Sequence, residues 1–200
     1  MQPLGKIIIF SAPSGSGKTT IVRHLLGHYP NLSFSVSACT RPRRAHEVDG
    51  RDYYFLTADD FRAGIAADAF VEWEEVYAGT YYGTLKSEID RICNQGRHVL
   101  CDVDVHGGLR LKKYFGDRAL AVFVRVPTRE ELESRLRRRG TETPESIDRR
   151  VAKMEEELAF EQQYDLTLVN DDLEEALRTA MRWVDRFVNN LPVTTDPLRS

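Results

Sequence analysis

Cysteine is scarce in this 200-residue chain. Cys39, Cys93 and Cys101 make an odd number with no Cys-x-x-Cys pair, which excludes a disulfide framework and a thiolate zinc site. Thiol usage of this kind points to a reducing compartment, the cytoplasm. Long apolar runs are missing as well, so no segment reads as a membrane span. The start, "MQPLGKIIIF", lacks a basic leader and a small-residue cleavage site and reads as a buried strand. Strong net charge is also absent. A formal charge of −3 gives no global pull toward nucleic acid or an anionic membrane. Lysine is rare, 6 residues against 22 arginines. A preference for arginine codons accounts for most of that excess, so only the position of each cluster carries information. There is no internal repeat, and composition sets no oligomeric state.

What is present is a rhythm of apolar strands and helices. Strands are expected at Lys6–Ser11, Phe34–Ala38, Asp52–Leu56, Ala69–Trp73, Arg97–Val103, Ala119–Val126 and Asp165–Asn170. Helices are expected at Thr19–His28, from the "TADD" box to Ala67, from a Thr84 cap to Asn94, and at His106–Tyr114. Three more follow, from Thr128 to Gly140, from "TPES" to Gln163, and at Asp172–Asn190. Continuous apolar strands alternating with helices indicate a parallel sheet covered on both faces. The stretch from Ser35 to Tyr82 breaks the rhythm with short, half-polar, aromatic strands, and reads as an inserted β-rich lobe.

"FSAPSGSGKTT" follows the first strand and opens the first helix. Ala12–Thr19 has the spacing of the phosphate-binding loop, G-x-x-x-x-G-K-[ST]. Gly15 and Gly17 let successive N–H groups converge on phosphate oxygens, and the helix N-terminus adds its dipole. Lys18 is a point charge for the β- and γ-phosphates, and the Thr19 hydroxyl can ligate Mg²⁺. Ala12 stands where the pattern has its first glycine. The loop therefore implies a nucleoside triphosphate site but leaves the phosphoryl acceptor open.

A second anion site is suggested by "SACTRPRR". Arg41 and Arg44 flank Pro42, which stiffens the turn so that two guanidinium forks can converge. Taken alone this is a solvated basic loop. Tyr53, Glu72, Tyr82 and Thr84 fall in the same lobe. A carboxylate at Glu72 can accept both N1–H and N2–H₂ of guanine, whereas the N1 lone pair of adenine is repelled. His24 and His28 have metal-ligand spacing but no third partner, and read as a solvated helix face.

The motifs "SAPSGSGKTT", "SVSACTRPRR", "EVDGRDYYF", "FVEWEEVYAGTYYGT", "VLCDVDVHG", "RLRRRGTETPESIDRR" and "VNDDLEEA" together resemble the guanylate kinase family, in that family's order and over nearly the whole chain. The resemblance implies an α/β protein with a P-loop three-layer core, an inserted small β-rich GMP-binding lobe and a helical lid. The core would be residues 1–34, 85–126 and 164–200, the lobe 35–84, and the lid with its following helix 127–163. It implies transfer of the γ-phosphoryl group of ATP to GMP with Mg²⁺. The loop residues Ala12, Pro13, Ser14, Gly15, Ser16, Gly17, Lys18, Thr19 and Thr20 would bind ATP, with Arg135 and, beside the adenine, Asn170. Ser37, Arg41, Arg44, Tyr53, Glu72, Tyr82, Thr84 and Asp102 match the GMP-site motifs, and Asp104 is placed on the same strand face as Asp102. Asp102 serves the guanine, holds Mg²⁺ through water, or both. Lys18, Arg41, Arg44, Arg139 and Arg150 are the expected charge stabilisers, while Arg137, Arg138 and Arg149 read as solvated. Arg43 occupies the family's usual proline slot. The spacer between Glu72 and Tyr82 is one residue longer than the family's, so either Tyr81 or Tyr82 faces the GMP phosphate. A non-catalytic relative that binds a protein partner would lack working loop or lid groups. A kinase for another base would not need Glu72.

Overall fold

The computed structural model describes residues 5–138 and 143–194. Strand β1 (Ile7–Ser11) is buried on both faces. It lies between β7 (His98–Val103) and β8 (Ala119–Arg125), with β2 (Leu32–Phe34) beyond β7 and β9 (Leu166–Val169) beyond β8. Every pairing in this five-stranded sheet is parallel. Side chains alternate across it. Ile8, Phe10, Leu100, Val122 and Val124 pack on α1 (Lys18–His28) and α7 (Leu173–Val188). Ile7, Ile9, Val99, Ala121 and Phe123 pack on α3 (Lys86–Asn94) and α4 (Val105–Phe115). The period-two alternation thus supplies two separate cores from one set of continuous apolar strands. The strand order turns about β1, and in open parallel sheets that turning point leaves a crevice at the carboxyl ends of the strands.

A second sheet has the order β4-β3-β6-β5, from β3 (Ala38–Cys39), β4 (Tyr54–Phe55), β5 (Phe70–Tyr77) and β6 (Thr80–Leu85). Helix α2 (Ala58–Ala66), capped by the Thr57 hydroxyl accepting from the Asp60 N–H, covers it through Phe61. Helices α5 (Arg129–Arg138) and α6 (Pro144–Leu158) form a pair around Leu132, Leu136, Ile147, Val151 and Met154. The expected turn at Arg139 and Gly140 lies outside the described residues.

Four sequence expectations are corrected. Phe34–Ala38 is not one strand. The chain leaves the first sheet after Phe34 and joins the second at Ala38, with the Ser35 N–H donating to Leu100 O and the Val36 N–H to Glu88. Ala69–Trp73 is part of a longer strand, and β6, unforeseen, completes an antiparallel hairpin with Gly79 at positive φ in its turn. Thr84 is not a helix cap. It sits inside β6, and α3 begins after Leu85 without a side-chain cap. The helix from Pro144 stops at Leu158, and a 3-10 turn at Glu161–Gln163 follows.

The small sheet depends on few side chains. Phe61 is fully buried, with its ring 4.3 Å from Phe70 and 5.3 Å from Tyr81 between centroids. Phe61→Ala is expected to cost about 3–5 kcal/mol, read from urea unfolding. A loss below about 1 kcal/mol would show that α2 does not hold this sheet.

Candidate active site

A cavity of about 1030 Å³ opens at the carboxyl ends of β1 and β7. Its floor is the loop Ala12–Gly17 with Lys18, Thr19 and Thr20 at the start of α1. Ala12 is not among the residues with positive φ, which explains why alanine can replace glycine there. Gly17 does need its glycine. Its φ is 87°, and a Cβ would lie 2.3 Å from Asn170 Nδ2. That amide donates to Ser16 O at 2.7 Å, and Asn170 is 3% exposed. The Asn170 side chain therefore holds the loop from beneath and does not line the cavity. The Asn170 backbone carbonyl accepts from Arg135 Nη2 at 2.9 Å, and Arg135 Nε donates to Glu131 at 2.6 Å.

Lys18 Nζ is 2.5 Å from Asp102 Oδ1 and donates to Val103 O at 2.7 Å, both at the end of β7. Asp104 is not on the strand face with Asp102. The strand ends at Val103, and Asp104 caps α4 by accepting from the Gly107 N–H at 2.8 Å. Both aspartates still line the cavity. Arg150, from α6, donates to the Ser14 hydroxyl across the loop.

At the far end the cavity is lined by Ser37, Tyr53, Glu72 and Tyr82. The hairpin register places Glu72 opposite Thr84, and the buried Thr84 hydroxyl donates to Glu72 Oε1 at 2.7 Å. Glu72 is mid-strand, 7% exposed, and not at a strand end. Its other oxygen faces Gly107, where a Cβ would come within 3.1 Å, and Arg110 Nη2 at 3.7 Å. Burial raises its pKa, and the nearby Asp104 adds to that, while Thr84 and Arg110 oppose it. Of the two candidate tyrosines, Tyr82 lines the cavity and stands 6.1 Å from Tyr53 between ring centroids. Tyr81 packs outside on Phe61 and Trp73.

Arg41 and Arg44 do not line the cavity. Arg41 lies 4.8 Å over the Tyr53 ring, and Arg44 is exposed beside it. Sequence reasoning missed what fixes this turn. Glu47 accepts both Arg41 Nη atoms, at 2.7 and 2.6 Å, and the Arg44 N–H at 2.8 Å. The Arg41 fork and the Arg44 amide hold its carboxyl down at about 2. A glutamate six residues after the first arginine was the available signal. Arg149 and Lys153, read as solvated or not singled out, line the cavity too. Arg139 lies outside the described residues.

The guanylate kinase family matches residues 4–186. A guanylate kinase of Bacteroides thetaiotaomicron is 50% identical over 188 residues, 94% of this chain and 92% of that protein. One of Porphyromonas gingivalis is 49% identical over 184 residues, 92% and 98% of the two chains. The crystal structure of guanylate kinase from Anaplasma phagocytophilum superposes with a TM-score of 0.71 at 27% identity, covering 96% of this chain and 89% of the other.

The buried Glu72 carboxylate gives a stability prediction. An acid whose folded pKa is raised binds its proton more tightly in the fold, so its ionisation weakens the fold as pH rises above the ordinary value of 4.5. Gln keeps the acceptor for Thr84 and removes the charge. Glu72→Gln is expected to melt no lower than wild type at pH 7, with any advantage shrinking as pH falls toward 4.5 and absent below it. Melting several degrees lower at pH 7 would mean that the fold favours the ionised form.

Proposed function

The chain belongs to the guanylate kinase family, and from that premise we propose how its residues move the γ-phosphoryl group of ATP to GMP. The protein is a nucleoside monophosphate kinase, an ATP:GMP phosphotransferase that makes ADP and GDP and so recycles GMP into purine nucleotide metabolism. One observation carries the residue-level reading: a single cavity joins a phosphate-binding loop to a buried carboxylate across the sheet edge.

The donor end is the loop. Its N–H groups and the α1 dipole receive the phosphates, and Lys18 exchanges Asp102 for the β- and γ-oxygens. The acceptor end uses Ser37, Tyr53 and Tyr82 with Arg41 and Arg44 for the GMP phosphate, and Glu72, set by Thr84, for the guanine edge. The attacking GMP oxygen is already anionic, so no side chain is needed as a base. The work is alignment, charge neutralisation and exclusion of water. Arg150 on α6, with Arg135 and Arg139 by family resemblance, brings cations over the loop, and we read residues 127–163 as a lid that closes on both substrates. Residues 35–84 are read as the GMP lobe.

Mg²⁺ fits this site. Thr19 and Asp102 offer hard oxygen donors, and no cluster of three or more His, Cys, Asp or Glu ligands exists among the described residues. Such a set suits an ion that keeps its waters and is held largely by phosphates. The ion would supply charge neutralisation for the bound phosphates. The three free thiols, with Cys39 and Cys101 buried, support a cytoplasmic setting.

A coupled ADP-release assay across the nucleoside monophosphates tests the reading, with GMP expected to be the preferred acceptor. Lys18→Met is expected to fold and lose nearly all transfer, mainly in kcat. Near-normal turnover would remove Lys18 from the mechanism. In Glu72→Gln a donor faces a donor at the guanine edge. kcat/KM for GMP is then expected to fall roughly a hundredfold or more, and that for IMP, which lacks the 2-amino group, to fall less. Equal losses on both substrates would show that Glu72 does not read the 2-amino group.

A further inference from the structure

The α6 wall of the cavity carries three charged groups, Arg149, Lys153 and Glu157, that the loop and lid motifs do not use. Ser146, Arg149, Arg150, Lys153 and Glu157 all line it, at spacings that put them on one helix face. Arg150 ends at Ser14 of the loop. Lys153, about one turn further along, has Nζ 3.5 Å from Glu157 Oε1.

This pair differs from an ordinary solvated i, i+4 pair. In Arg178–Glu174 the two side chains are 70% and 84% exposed. In Lys153–Glu157 the cation is 64% exposed but the carboxylate only 8%. Glu157 is therefore nearly buried in the cavity wall, with the exposed Lys153 side chain beside it. Burial pushes the Glu157 pKa up and Lys153 pulls it back, with Asp104 and Lys18 also within electrostatic reach. A buried carboxylate is tolerated only with a partner, and here the partner lines the same cavity as the phosphate loop. The charge balance points the same way. Asp102, Asp104 and Glu157 gather at the donor end, where Lys18 and Arg150 alone do not offset them. Arg149 and Lys153 reverse the sign, which a triphosphate requires.

We propose that Lys153 is a further phosphate-contacting cation of this enzyme, aimed at the donor triphosphate, and that Glu157 is a positioning residue that holds its ammonium at the cavity wall. A flexible, compact ammonium suits phosphate oxygens as a point charge. The inference deepens the phosphotransferase reading and rests on it.

Lys153→Met keeps the aliphatic stem and removes the charge. It is expected to lower kcat/KM for ATP by roughly tenfold or more, to leave KM for GMP within about twofold, and to melt as wild type does. Lys153→Arg should restore most of the loss. Glu157→Gln should lose less than Lys153→Met, and the double variant should be no worse than Lys153→Met alone, because Glu157 acts through Lys153. Calorimetric titration with Mg·ATP without GMP should show the same weakening in Lys153→Met. If wild type phosphorylates GMP while Lys153→Met stays within twofold on both readouts, Lys153 is a solvated side chain and the inference fails alone. If wild type binds Mg·ATP but does not phosphorylate GMP, the phosphotransferase reading fails and the titration still decides the contact. Losses that add in the double variant would overturn the positioning role of Glu157.

Discussion

The Lys18–Asp102 ion pair, 2.5 Å long, ties the phosphate-binding loop to the central sheet, and the site depends on the arrangement it represents. A protein that receives polyphosphate must gather cations before any phosphate is bound. Gathered cations repel one another, so each is held on a counter-ion or a neutral acceptor. Lys18 rests on Asp102 and Val103 O, Arg41 on Glu47, Arg135 on Glu131, Lys153 on Glu157, and Arg150 on the Ser14 hydroxyl. Each holder fixes where the cation sits, and in the proposed reading a phosphate oxygen replaces it with little further desolvation. Preorganised charge of this kind is the main lever available to phosphoryl transfer.

In the proposed reading the opposite end of the cavity takes a neutral base edge. Glu72 lies within an eight-residue strand, with Thr84 directly across the hairpin and Gly107 closing from α4. Three elements from separate parts of the chain define the carboxylate's position. Its ionised form is under tension there, since burial favours the protonated acid. In the proposed reading that tension has a use, since an ionised, dehydrated carboxylate is the acceptor that two adjacent N–H groups of guanine need.

A large part of this molecule was legible in the sequence. The apolar strands, the phosphate loop between β1 and α1, and the parallel sheet were all readable because each signal is local: a period, a spacing, a cap. The hairpin was harder. Its turn is only Ala78 and Gly79, and its polar and aromatic strands carry a weak alternation, so Thr84 read as a helix cap and not as the partner of Glu72. Phe34–Ala38 alternated as one strand, although the backbone changes sheets within it, because alternation does not record which neighbour accepts the hydrogen bonds.

By itself, the sequence determined the class of chemistry: which residues are acidic, basic or small, and that a glycine-rich loop opens a helix beside a buried strand. Only the tertiary structure decided which of these groups meet. It put Tyr82 and not Tyr81 in the cavity, moved Asn170 beneath the loop, brought Glu47 onto Arg41, and placed Lys153 in the wall of the same cavity as the phosphate loop. Composition and local period are set along the chain, whereas a charge's partner is set by strand register and by which helix face lies against the cleft. Those are fixed only when distant segments pack.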